Sequence, residues 1–278
     1  MNLFQISSFL HCITYFCVYQ PNLPVIYCSH LAFSGREKIS SVSPNSSISP
    51  SRKNAVNNMT ARNKFQTELD NLNLSLIKMG AAAEEAIENS VYALINQSRE
   101  TAKAVIDSDK EISEMTGAIE SSALKIILLQ QPIAGDLRTI SAALKIVTDI
   151  ERIGKQAIDI CSIVLHLCEE EYRTTLIVIP QMADLAKKMV KMCIDSFVKR
   201  DIKLAELVEK SDNEMDELFV KVKDNMIELI KEQSEYADQA VYLMMVAKYF
   251  EKIGDHAENI AQWVVFCRTG THKNIRLI

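Results

Sequence analysis

Glu151-Arg-Ile-Gly-Lys-Gln-Ala-Ile-Asp-Ile160 and Glu251-Lys-Ile-Gly-Asp-His-Ala-Glu-Asn-Ile260 are one ten-residue stretch written twice, 100 positions apart. Upstream of each lies a second matched pair. Val105-Ile-Asp-Ser-Asp-Lys-Glu-Ile112 corresponds to Val208-Glu-Lys-Ser-Asp-Asn-Glu-Met215, at an offset of 103. Two matches in the same order, with nearly the same offset, indicate an internal duplication in which only a small loop difference separates the copies.

Working outward, apolar residues recur at helical spacing through both copies. Leu69, Leu72, Leu76, Met79, Ala83, Ile87, Val91 and Leu94 predict a first helix from about Phe65 to about Ser98. Val105, Ile112, Met115, Ile119, Leu124 and Ile127 predict a second, from about Glu100 to Leu129. Pro132 punctuates, and a third runs from about Gly135 to Glu169. The second copy predicts helices from near Pro180 to Lys199, Ile202 to Lys231 and Tyr236 to Arg268. Proline suits a helix's first turn. Long helices with short connections lie antiparallel to their neighbours. The expected fold is therefore all-α: two tandem three-helix bundles, over 59–172 and 173–278.

Composition agrees. Four of the six prolines (Pro21, Pro24, Pro44, Pro50) fall in the first 50 residues, leaving only Pro132 and Pro180 to break the rest. Residues 1–58 carry Arg36, Lys38, Arg52 and Lys53 against Glu37, a net of +3, which leaves −8 for the remainder of a chain at −5. So acidic a body repels phosphate backbones, which argues against nucleic acid as a partner, and the net charge gives no support for anionic membrane binding. Cys161, Cys168, Cys193 and Cys267 sit in apolar helical patterns with no C-x-x-C pair, and read as small core residues in a reducing compartment.

Residues 1–33 are apolar but lack the basic start of a signal peptide, and no run among them is long enough to span a bilayer. Residues 40–58 are rich in Ser, Asn and Pro and read as disordered. The segment 1–58 is thus expected to be a disordered or non-native extension, with Met59 as the physiological start. A weak uncleaved anchor or an unusual export signal is the competing reading.

The repeated stretch also carries candidate chemistry. Glu251 and Asp255 stand four apart on one helix face, with Glu258 and Asn259 close by; in the first copy Glu151 and Asp159 share a face near Asp149, and Lys155 holds the middle position. Carboxylates at this spacing repel unless a cation lies between them, and oxygen-rich pairs suit magnesium, manganese or iron, with zinc less specifically indicated. The structural alternative is a solvated face paired with Lys252, Arg152 and Lys155. Gly154 and Gly254 recur mid-helix, where glycine costs about 1 kcal/mol relative to alanine, so each predicts close approach of another helix or a ligand. No Glu-x-x-His pair, phosphate-binding glycine loop, nucleophile elbow or His-Glu-x-x-His occurs, and nothing in the sequence points to catalysis.

Taken together, Lys78-Met-Gly80, Gln131-Pro-Ile-Ala-Gly-Asp-Leu-Arg138, Asp149-Ile-Glu-Arg-Ile-Gly154 and Glu251-Lys-Ile-Gly-Asp255 closely resemble the PhoU family of phosphate-signalling regulators, over nearly all of residues 60–270. The resemblance implies a cytoplasmic, usually dimeric, non-enzymatic protein. It implies restraint of the phosphate-starvation response through the phosphate-specific ABC transporter and a membrane sensor histidine kinase, without insertion in the membrane. Some members of that family bind iron or other metal clusters through a Glu/Asp-x-x-x-Asp motif on the third helix of each copy. That motif is intact as Glu251 and Asp255. The first copy keeps Glu151 but has Lys155 where the family has Asp, and a protonated lysine cannot ligate metal. Asp136 and Arg138, opening the third helix, are read either as a helix-end charge with an ion pair or as a partner contact. The alternatives carried forward are a metal-binding helical protein and a PhoU-like paralogue serving another transporter.

Overall fold

The computed structural model describes residues 50–169, 171–173, 176–273 and 275–276. Seven α-helices follow in order: α1 (Pro50–Asn96), α2 (Arg99–Asp107), α3 (Asp109–Gln130), α4 (Ala134–Leu167), α5 (Val178–Lys199), α6 (Ile202–Glu232) and α7 (Ala237–Thr269). A 3-10 turn at Ser234–Tyr236 precedes α7, and a two-stranded antiparallel ribbon, β1 (Thr271–His272) with β2 (Ile275–Arg276), follows it. The protein is all-α, with α1, α2–α3 and α4 forming one three-helix bundle and α5, α6 and α7 the other.

The first helix shows how the sequence builds the core. Leu69, Leu72, Leu76, Met79, Ala83, Ala86, Ser90 and Ala93 are all buried, a spacing of alternating threes and fours that keeps one stripe inward. The one polar member of the stripe, Ser90, donates to the Ile87 carbonyl at 2.7 Å, so no polar group is left unpaired. Each large side chain buried this way contributes about 1.5–3 kcal/mol. Near its middle α1 meets α5 closely: a Cβ on Gly80 would stand 2.0 Å from Ile194 Cδ1.

Three expectations need correction. The first helix begins at Pro50, not near Phe65, so residues 50–58 are helical rather than disordered; proline at a helix's first position is pre-set for it. The expectations for residues 1–49 lie outside the described residues. The second helix is interrupted. At Ser108 the hydroxyl and the amide both turn to the Val105 carbonyl, at 2.6 and 3.2 Å, replacing the i−4 bond with an i−3 bond and separating α2 from α3. Ser211 at the matching place bonds to Leu207, four residues back, and α6 runs on unbroken. Finally Leu124 is 52% exposed, because the buried stripe of α3 is Ile112, Thr116, Ile119, Ala123 and Ile126, one residue away.

The copies reproduce each other at their turns. Gln97 and Arg200 both adopt left-handed backbone, with φ of 49° and 55°. Ser98 and Asp201, next in chain, both cap the following helix through side-chain oxygens.

Candidate functional site

The copies meet where α4 packs antiparallel to α7, and the duplicated stretches lie on these helices. Asp149, 4% exposed, accepts a hydrogen bond from Asn259 Nδ2 at 2.6 Å, and its other oxygen lies 3.0 Å from His256 Nδ1. The duplication inverts the arrangement on the other side. Tyr249 matches Asp149 and Asp159 matches Asn259, and the Tyr249 hydroxyl is pushed up by burial and by the Asp159 charge. Asp159, grouped with Glu151 by helix face, is also near enough to α7 for its charge to act on Tyr249, and burial raises its carboxyl.

On their other face α4 and α7 turn the conserved-in-both-copies glycines to the preceding helix of the same bundle. A Cβ on Gly154 would lie 2.7 Å from Ile112 Cδ1; one on Gly254 would lie 3.2 Å from Met215 Cγ and 3.1 Å from Asp212 Oδ1. Ile112 and Met215 are matched positions, so the glycines serve the same close helix contact twice.

Around these glycines sit the stripe carboxylates. In the first copy Lys155 Nζ donates to Glu151 Oε1 at 2.8 Å, and this bond raises the Lys155 ammonium. The ammonium closes that position to a cation, so the residues of the first copy do not fit a metal. Arg152 is exposed and makes no ion pair among the described residues.

The second copy differs. Glu251, its side chain 12% exposed, accepts from Lys248 Nζ at 2.6 Å, and Lys252 bridges Glu251 and Asp255. Glu251 Oε2 is 3.4 Å from Lys252 Nζ but is buried without a hydrogen-bond partner. Facing the pair from α6 is Asp212, whose carboxyl is pushed up to about 7 by burial first, then by the charges of Glu258, Asp216, Asp255 and Glu251. This crowding of carboxylates and the Glu251 oxygen without a hydrogen bond fit a hard cation in donor chemistry. No three His, Cys, Asp or Glu side chains converge as a single-ion site among the described residues. Asp212 was missed from the helix-face argument. Its signal was the Ser-Asp pair shared by both copies, at 108–109 and 211–212.

Asp136 and Arg138 part company. Asp136 lies in the first turn of α4, where its charge suits the helix dipole, but the N-cap is Ile133 and no side chain caps that end. Arg138 instead donates from Nε to the Cys267 carbonyl at the end of α7, 3.3 Å away. No ion pair joins the two among the described residues.

Two copies of one three-helix unit, packed through α4 and α7 and carrying paired charges on those helices, define a duplicated helical-bundle protein. The PhoU domain profile matches it twice, over residues 76–164 and 179–264. The chain belongs to the PhoU family. It is 33% identical to a phosphate-specific transport system accessory protein PhoU homolog of Clostridium acetobutylicum, over 75% of this chain and 96% of that one. It is 26% identical to the accessory protein PhoU of Escherichia coli, over 73% of this chain and 84% of that one. Among solved structures, PhoU from Pseudomonas aeruginosa superposes with a TM-score of 0.71 at 29% identity, covering 74% of this chain and all of that one. No helix among the described residues is long and apolar enough to cross a membrane.

Proposed function

We propose that this chain is a non-enzymatic accessory protein of phosphate transport that restrains the phosphate-starvation response. It acts in the cytoplasm as a homodimer, docking on the phosphate ABC transporter and on a sensor histidine kinase. The observation that carries this reading is the similarity to the Clostridium accessory protein across 96% of its length, both bundles included. The test is a phosphate-responsive reporter in a strain lacking the gene, complemented with the full chain or with the chain from Met59. A reporter that stays on in high phosphate and is silenced by either form supports the reading. A reporter indifferent to the deletion overturns it and assigns the chain to another transporter.

We also propose a divalent or iron cation at the second copy, held by Glu251 and Asp255, with Asp212 adding negative charge nearby from α6. The carboxylates crowded around Asp212 and the buried Glu251 Oε2, which has an ion-pair contact but no hydrogen bond, support it. When bound, the cation supplies charge neutralisation between α6 and α7. Replacing Glu251 and Asp255 together by Ala is expected to abolish metal co-purifying with the protein, read by elemental analysis; unchanged content overturns the site.

A further inference from the structure

The two ends of the α4–α7 seam are related by the duplication, yet their charges have opposite sign. At the first end Gln97 Nε2 donates to the Leu167 carbonyl at 2.8 Å, and Arg99 pairs with Glu169 at 3.2 Å. Glu100 opens α2 there, and Asp238 lines the adjoining cleft with His166 and Glu169. At the second end four matched positions change: Gln97 becomes Arg200, Glu100 becomes Lys203, Asp238 becomes Arg138 and Cys168 becomes Arg268. The backbone of the two turns is the same, as their φ angles show. The turn therefore tolerates either charge, and Arg200, Lys203 and Arg268, unlike Arg138, make no side-chain hydrogen bond among the described residues that builds the corner.

Arg200, Lys203 and Arg268 line one shallow cavity of about 370 Å³, together with Lys199, Asp201 and Ile202. Lys199 is paired with Asp195 at 2.8 Å, and the Asp201 carboxylate is committed to the Lys203 and Leu204 amides at 2.9 and 3.3 Å. Arg200, Lys203 and Arg268 make no ion pair among the described residues, unlike Lys155, Lys187, Lys248 and Lys252. Behind them Arg138 is anchored on the Cys267 carbonyl, and the fields of Arg200 and Arg138 both reach the Cys267 thiol. Adjacent like charges repel, and a multivalent anion with several acceptor oxygens relieves that repulsion best. Two guanidinium forks and an ammonium match the charge and oxygens of a phosphate group better than those of a small monoanion.

We propose that this corner binds a phosphate group, presented as inorganic phosphate or as the headgroup of an anionic lipid. The site stands apart from the regulatory reading, because its test uses only the purified protein. Calorimetric titration of the full chain with inorganic phosphate at fixed ionic strength is run beside sedimentation with phosphatidylglycerol vesicles, phosphatidylcholine vesicles serving as the neutral control. The chain is compared with the doubly substituted Arg200→Gln, Arg268→Gln protein and with Arg99→Gln at the matched corner. All substituted side chains reach solvent, and circular dichroism checks that each protein folds. Saturable binding is expected, weakened at least about tenfold in the double variant and unchanged in Arg99→Gln. Binding of phosphate without vesicles assigns the free ion, and binding of vesicles without phosphate assigns the headgroup. The proposal is overturned if neither binds, if the double variant binds as well as the parent, or if acetate at equal ionic strength competes as well as phosphate.

Discussion

Asp149 and Asn259 join the two copies through a 2.6 Å hydrogen bond across a buried seam, with His256 on the other carboxylate oxygen. Removing the acceptor leaves the Asn259 amide without its partner where water has little access, a loss of about 1–3 kcal/mol. Asp149→Ala is therefore expected to lower the thermal midpoint by about 2–4 °C for each kcal/mol lost. A scanning-calorimetry midpoint equal to that of the parent would show that the seam is held by apolar packing alone.

Gly80 and Ile194 set how closely α1 and α5 approach. A Cβ at Gly80 would meet Ile194 Cδ1 at 2.0 Å and Cγ1 at 3.3 Å. Gly80→Ala gains helix propensity of about 1 kcal/mol but overpacks the contact, at about 1–3 kcal/mol. It is expected to be destabilising alone. Ile194→Val removes the one atom in severe conflict, so in that background Gly80→Ala should be neutral or stabilising. Chemical denaturation of the four proteins of this cycle measures the coupling; strictly additive effects would mean that the helices separate to make room.

His272 is stacked on Trp263, with ring centroids 3.9 Å apart and an interplanar angle of 23°. Its Nε2 is buried with no hydrogen-bond partner. Burial, and after it the charge of Lys273, hold the imidazole below its usual value, while Asp149 pulls the other way. The unfolded chain then takes up this proton at a higher pH than the folded one, so the residue lowers stability as pH falls through about 6.5 and on through the folded value. His272→Phe keeps a ring on Trp263 and removes the titration. Its stability should decline less than the parent's between about pH 7.5 and about pH 5. Parallel denaturation-versus-pH curves would refute the assignment.

The fold was legible because helix periodicity and the duplication are both properties of spacing, and spacing survives in a single sequence. Leu69, Leu72, Leu76 and Met79 are buried as their period requires. What escaped depends on which neighbour a face meets. Glu151 and Asp159 share a side of α4 by count, yet one turns to Lys155 and the other is felt by Tyr249 of α7. Leu124 looked like core because it is apolar and near the period, but a one-residue phase difference along α3 puts Ala123 inside instead. Asp212 joined the carboxylate site only when α6 was laid beside α7, and no spacing within one helix announces such a pair.

Asp212 also supplies the last prediction. Its carboxyl is crowded by Glu258, Asp216, Asp255 and Glu251, and a protein stripped of cations must carry that repulsion whenever the group is ionised. Asp212→Asn keeps the shape of the side chain and removes the charge. In chelator at about pH 8, where the parent carboxyl is mostly ionised, the variant should melt higher than the parent. In the presence of the cation that the site prefers, the order should reverse, because the parent gains a ligand-bound folded state that the variant has weakened. A variant that melts at or below the parent in chelator would mean that the lysine pairs already neutralise the cluster, and the case for a cation at Glu251 and Asp255 would lose its electrostatic support.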